Sequence, residues 1–192
     1  MGVTLIVLGY DNTFGSDGVN LSVADYKDLG ARYGIEVVES PELKDISSSA
    51  IRRAVISGDM EKAAAMLGHS YVLTGIVERG NGIGRELGYP TANLRAEAGC
   101  AIPREGVYAA RIKLPDNKIY PAMINIGRRP TVELGDDLVI EVHIIGWEGD
   151  LYGRRVEVEF VKYIREEKKF DSLDSLKEQL RKDRSMVFDL AL

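Results

Sequence analysis

The chain has 192 residues, 45% of them apolar and 29% charged, and a net charge of −5. That is the make-up of a soluble globular protein, with room for one domain or a domain plus a smaller unit. The acidic balance argues against a nonspecific nucleic-acid binder, which needs a basic surface. Cys100 is the sole cysteine, so an intrachain disulfide is excluded and a reducing cytosol fits. The two histidines, His69 and His143, have no zinc spacing. No apolar run approaches the ~20 residues of a membrane span. The apolar start lacks the basic leader and small-residue cleavage site of a signal peptide. A cytoplasmic protein without nucleic-acid or membrane partners is expected, and the sequence does not fix its oligomeric state.

Val3 to Leu8 is an apolar, β-branched run ending at Gly9, which reads as a buried, parallel strand. A Gly- and Asp-rich loop follows. Ser22 is the candidate cap of a helix over Val23 to Tyr33 that Gly34 stops, and Ile35 to Val38 is a second strand. This order is α/β logic. The serine run Ile46-Ser47-Ser48-Ser49 precedes an apolar-periodic stretch, with Ser48 or Ser49 as the candidate cap. Arg52 follows it, so the helix start reads either as a phosphate site or as a plain cap with solvated arginines. A further helix runs from Asp59 to Leu67 and ends at Gly68. The domain boundary is expected near Gly68 to Ser70, which divides the chain into residues 1–68 and 69–192.

Beyond it the texture changes to short β-rich runs. Tyr71 to Glu78, Val107 to Lys113, Ile119 to Ile126, Leu138 to Ile145 and Arg155 to Tyr163 read as strands. No helical pattern separates them, so the sheet is expected to be antiparallel and closed into a small barrel. A final helix, capped by Asp171 and Ser172, carries a stripe of Leu173, Leu176, Leu180 and Val187, broadened by Met186 and Phe188.

Four features carry candidate chemistry. The stretch Gly80 to Asn93, GNGIGRELGYPTAN, joins a glycine-rich loop to Pro90-Thr91-Ala92-Asn93. Backbone N–H groups of such a loop hold phosphate oxygens, although a hairpin turn uses the same glycines. In an extended chain Thr91 and Asn93 point the same way, offering two neutral oxygens to a hard cation such as Mg²⁺. Glu141 interrupts an apolar alternation, so it is solvated on an edge strand or it works as a proton acceptor. His143, on the same face, reads as scaffold. Asn125 ends a strand as a turn former or a ligand contact. Trp147 is a packing lid or a stacking platform, and Lys168 and Lys169 read as a solvated face.

These residues resemble a known family. GRELGYPTANL, REGVYAARI, MINIGRRPT, IEVHII, DLYGRRVEVEF and IREEKKFDSLDSLKEQLRKD, in this order, are similar to the riboflavin kinase domain of bacterial bifunctional riboflavin kinase/FAD synthetases. The resemblance covers about Tyr71 to Asp183. It implies an α+β chain: a six-stranded antiparallel Greek-key-type barrel with a C-terminal helix. It also implies Mg²⁺-dependent transfer of the γ-phosphoryl group of ATP to the 5′-hydroxyl of riboflavin, giving FMN.

Carried over, Gly80, Gly82, Gly84, Arg85 and Pro90 would cover the ATP phosphates, and Thr91 and Asn93 would hold Mg²⁺. Ile144, Gly146 and Tyr152 would line the adenine side. Glu141 would be the general base. Asn125, Arg165 and Phe170 would lie on the flavin side. Arg128 stands where the family often has Thr.

GYDNTFG, ISSSAIR and GDMEKAAAMLGHSYVLTG resemble the C-terminal part of the same enzymes' nucleotidyltransferase module, a Rossmann-like α/β fold. Ser48, Ser49 and Arg52 would be a residual phosphate site of it. That module's His-x-x-His-type loop has no counterpart in this sequence, so FMN adenylylation to FAD is not expected. A bifunctional enzyme is one alternative reading. A barrel that binds flavin or nucleotide without turnover is another.

Overall fold

The computed structural model describes residues 2–9, 21–41, 43–80, 84, 88–131 and 135–191. The loop expected from Tyr10 to Gly18 lies outside them, as do Gly82 and Arg85. The chain falls into two compact units, Met1–Ser47 and Ser48–Leu192.

The first unit holds β1 (Leu5–Gly9), α1 (Val23–Arg32) and β2 (Glu36–Ser40), with β1 and β2 parallel as expected. Ser22 and Asp25 form a reciprocal cap: the Ser22 hydroxyl accepts from the Asp25 N–H, and the Asp25 carboxylate accepts from the Ser22 N–H at 2.8 Å. Gly30 lets the helix approach β2, because a Cβ there would lie 2.7 Å from a Val37 methyl. The expectation of a buried first strand does not hold. Val3, Leu5 and Val7 are 64%, 49% and 60% exposed, and only Leu8 is buried. Among the described residues this sheet has two strands, so one face of β1 packs on nothing within its unit.

The second unit begins with α2 (Ser48–Ser57) and α3 (Met60–Leu67). Ser48 and Ser49 are inside the first turn of α2 rather than at its cap. Asp59 caps α3 by accepting from the Lys62 N–H, and Gly68, at φ 77°, ends it. Ala54, Val55, Met60 and Ala63 are continuous with the barrel core. Glu61 of α3 also pairs with Lys162 at 3.0 Å. Both helices therefore belong to the barrel's unit, and the division at 47/48 differs from the boundary read near Gly68 to Ser70.

The barrel comprises β3 (Tyr71–Glu78), β4 (Ala92–Ala96), β5 (Gly106–Lys113), β6 (Ile119–Thr131), β7 (Gly135–Ile144) and β8 (Arg155–Arg165). Its strands close in the order β3-β4-β7-β6-β5-β8, and every pair is antiparallel. The expected six-stranded barrel is thus present. Its second strand, β4, is the one that the apolar pattern did not show. Leu73, Tyr108, Ile112, Ile124, Val158 and Phe160 fill the interior, which leaves no room there for a ligand.

Outward-facing residues divide the barrel surface in two. On one side cross-strand ion pairs face solvent, among them Arg111–Glu159 at 3.1 Å and Lys113–Glu157 at 3.4 Å. On the other side Val107, Ala109, Met123 and Ile145 pack with Val187 of α4 (Leu173–Ala191). Ser172 caps α4 by accepting from the Ser175 N–H. The expected stripe holds at Leu176, Leu180 and Val187 and fails elsewhere. Leu173, Met186 and Phe188 are exposed, and the face toward the barrel runs Leu176, Leu180, Asp183, Val187.

Phe160 touches Tyr108 edge-on, with centroids 5.2 Å apart, at the middle of the core. Phe160→Ala is expected to cost about 3–5 kcal/mol, read as a lower midpoint in urea unfolding of the whole chain.

Candidate functional site

Strand register builds the site. Asn93 of β4 pairs with Glu141 of β7, Glu141 with Asn125 of β6, Asn125 with Val107 of β5, and Val107 with Arg165 of β8. Alternation puts this row on the outer face, because the neighbouring Leu94, Ile140, Val142, Ile124, Ile126 and Tyr108 fill the core. β7 lies between β4 and β6. Glu141 is therefore half-buried in mid-sheet, and the edge-strand reading of it is corrected.

Two clefts flank this row. The first, about 410 Å³, lies between the barrel and α4 and contains Glu141, Asn125, Arg165, Phe170 and Thr91. The second, about 470 Å³, contains Pro90, Thr91, Ile144, Trp147 and Tyr152. Thr91 borders both. Gly146, at φ 75°, makes the turn between Ile144 and Trp147 and does not line the second cleft. Gly149 packs on the Trp147 ring, where a Cβ would meet ring carbon at 2.6 Å. Trp147 is thus part cleft wall and part core. Arg79 stacks over Tyr152 at 5.3 Å.

The glycine-rich loop meets Thr91 and Asn93 at its described positions. A Cβ on Gly80 would lie 2.9 Å from Asn93 Oδ1, and one on Gly84 would collide with the Tyr89 carbonyl and come within 3.3 Å of Thr91 Oγ1. Only glycine lets the backbone come so near these two side chains. Asn93 Oδ1 is buried and, among the described residues, has no hydrogen-bond partner. Such an atom is costly unless something satisfies it.

His143 anchors this edge. Its Nδ1–H donates to the Pro90 carbonyl at 2.9 Å, and its ring lies 5.2 Å from Tyr89. Burial pushes its pKa below the ordinary value, and the nearby Arg184 cation adds to that.

On the far side of the first cleft, Arg165 is bound by Asp183 of α4, which is fully buried. The segment after β8 folds over the cleft: Glu167 accepts from Asn125 Nδ2 at 2.9 Å and covers Gly127. Lys168 and Arg165 stand 5.7 and 5.9 Å from the Phe170 ring centre. Asp183 and Glu167 were not singled out from sequence. An acidic residue at helical spacing between Leu180 and Val187 was the available signal for the first. Lys168, read as solvated, also lines the cleft. Ser48, Ser49 and Arg52 are exposed on α2 and line neither cleft.

The riboflavin kinase (flavokinase) family model matches residues 67–190. The chain belongs to the riboflavin kinase family. Bifunctional riboflavin kinase/FMN adenylyltransferases resemble it along most of its length. The one from Haemophilus influenzae is 37% identical over 94% of this chain and 59% of its own. The one from Bacillus subtilis is 35% identical over 96% of this chain and 59% of its own. The crystal structure of a macrolide-efflux protein from Streptococcus pneumoniae superposes with a TM-score of 0.79 at 36% identity, over 95% of this chain and 59% of that one. The chain thus spans about three fifths of the length of these relatives. Among the described residues no helix is long and apolar enough to cross a membrane.

The depressed His143 pKa has a testable consequence. An unfolded histidine takes up a proton near its ordinary 6.5, while the folded one resists it. Stability is therefore fully present above that pH and is lost as pH falls through it. The thermal midpoint is expected to drop between pH 7.5 and 5.5, and to drop less in His143→Gln.

Proposed function

We propose that this chain is a riboflavin kinase that transfers the γ-phosphoryl group of ATP to the 5′-hydroxyl of riboflavin, giving FMN and ADP. The observation that carries this reading is the pair of clefts meeting at Thr91, with the Glu141 carboxylate in the first. Riboflavin would occupy the first cleft, against Asn125, Arg165 and Phe170. ATP would occupy the second, with adenine near Ile144 and Tyr152, and with its phosphates under the loop of Gly80, Gly82, Gly84, Arg85 and Pro90.

Phosphoryl transfer asks little covalent chemistry of a protein; it asks for alignment and charge stabilisation. Glu141 accepts the proton of the flavin 5′-hydroxyl as that oxygen bonds to the γ-phosphorus. The bond from that phosphorus to the bridging oxygen breaks, and ADP leaves. Asn93 and Asn125 are the cross-strand neighbours of Glu141. The donor set fits Mg²⁺. Asn93 Oδ1 is a buried oxygen with no hydrogen-bond partner among the described residues, two positions along the chain from Thr91. Among the described residues no cluster of His, Cys, Asp and Glu suggests another metal. Mg²⁺ keeps most of its shell as water and phosphate oxygen, and bound by Thr91 and Asn93 it would offset phosphate charge.

A cytoplasmic location goes with this reading, since both substrates are small metabolites. The relatives' second activity is tested by the same incubation with FMN in place of riboflavin. Formation of FAD would add Ser48, Ser49 and Arg52 to the working residues, and we expect none.

ADP release that depends on riboflavin tests the kinase reading; its absence in the wild-type chain would remove it and leave a passive binder. Glu141→Gln is expected to lower kcat by about two to four orders of magnitude with the KM for ATP nearly unchanged. Unchanged turnover would take the base role from Glu141. Thr91→Ala and Asn93→Ala are each expected to raise the Mg²⁺ concentration needed for half-maximal rate, and an unaltered Mg²⁺ dependence in both would refute the metal assignment.

A further inference from the structure

We infer that Asp183 is a positioning residue: it holds the Arg165 guanidinium at the end of the flavin cleft opposite Glu141. The inference rests on the kinase reading of that cleft. Asp183 is fully buried on the face of α4 that otherwise packs Leu176, Leu180 and Val187 on the barrel. An aliphatic side chain there would continue the stripe with no charge to desolvate. A buried ion pair is often no more stabilising than such a replacement. Packing alone therefore does not account for a carboxylate at this place.

The contacts of Asp183 show what it does. Arg165 Nε donates to both carboxylate oxygens, at 3.1 and 3.0 Å, and Nη2 donates to one of them at 2.7 Å. Gln179, one turn earlier on α4, donates to the same carboxylate at 2.8 Å. Arg165 Nη1 donates to the Glu166 carbonyl at 2.9 Å. The guanidinium is held in its plane from two directions. Its terminal nitrogens still keep N–H groups for the cleft, since a guanidinium has five donors.

The backbone is shaped for the same purpose. Val107 pairs with Arg165 while Tyr108 pairs with Tyr163, so Ile164 is an extra residue that bulges out of β8. Bulges re-aim the next side chain. Here Ile164 goes to the apolar layer under α4, and Arg165 goes to the cleft. Three strand spacings, about 14 Å along the curved sheet, separate Arg165 from Glu141. That suits a tricyclic ring with a five-carbon chain, the ring at the arginine and the terminal hydroxyl at the carboxylate. On this account Asp183 never touches substrate; it sets where the ring binds.

The test compares Asp183→Asn, Arg165→Lys and the apolar pair Asp183→Leu/Arg165→Met with the wild-type chain. Riboflavin affinity is read by flavin fluorescence and turnover by ADP release. All three are expected to weaken riboflavin binding about tenfold or more and raise its KM in step, with the KM for ATP within about twofold. The apolar pair keeps the stripe packed and Arg165→Lys keeps a cation on Asp183, so a fold lost in Asp183→Asn leaves the test standing. Wild-type riboflavin affinity in Asp183→Asn or in Arg165→Lys would overturn the inference, as would equal losses for riboflavin and ATP. A wild-type chain that binds riboflavin without turnover would sink the kinase reading, and the binding arm would still decide the role of Asp183.

Discussion

Closure of the barrel is the constraint on which the rest depends. A ring of antiparallel strands has no edge, and its register is fixed by the side chains that must point inward. With Leu94, Ile124, Ile126, Ile140 and Val142 committed to the interior, Asn93, Glu141 and Asn125 have to stand side by side on the outer face. A slip of one residue in β7 would bury Glu141 in the core and expose Ile140. The cost of burying an unpaired carboxylate forbids that slip. The same packing that stabilises the barrel thus sets the spacing of the polar row, and the filled interior puts the ligand clefts outside.

Two further devices turn the row into a site with two ends. At one end the chain enters β4 through Pro90 and Thr91, and the His143 imidazole pins the Pro90 carbonyl from the neighbouring strand. Thr91 is thereby fixed where both clefts meet, and the glycines at 80 and 84 let the preceding loop lie against it and Asn93. At the other end α4 closes the cleft and ties Arg165 down through Asp183. Between them Glu167 reaches back to Asn125, so the segment after β8 is fastened to the strand that it covers.

Much of this was legible from the residues, and the failures have physical causes. Tyr71 to Glu78 coincides with the strand observed, and Leu138 to Ile145 overlaps β7, which starts three residues earlier at Gly135 and ends one earlier at Ile144. Ala92–Ala96 was missed as a strand because it is short and mixes small, polar and charged residues, so its pairing with β3 and β7 makes it a strand more than its own pattern does. Glu141 stood out as a carboxylate in an apolar run. Whether it faced open solvent depended on which strands lay beside it, which no local pattern states. The domain boundary read at Gly68 followed the change from helices to strands, whereas the apolar faces of α2 and α3 join the barrel core. Asp183 was hidden because a charge in a helical stripe looks like a solvated position until its partner, eighteen residues earlier, is folded against it.

The central claim is that the cleft beside α4 takes the flavin, the cleft beside Trp147 takes the nucleotide, and Glu141 works from the first cleft toward Thr91, where the two meet. A crystal structure of this chain with riboflavin and a non-hydrolysable ATP analogue tests it most directly. The account predicts the flavin ring between Asn125 and Arg165, and its 5′-hydroxyl within hydrogen-bond reach of Glu141 and about 3–3.5 Å from the γ-phosphorus. A flavin bound in the Trp147 cleft, or a 5′-hydroxyl turned away from Glu141 toward solvent, would contradict it.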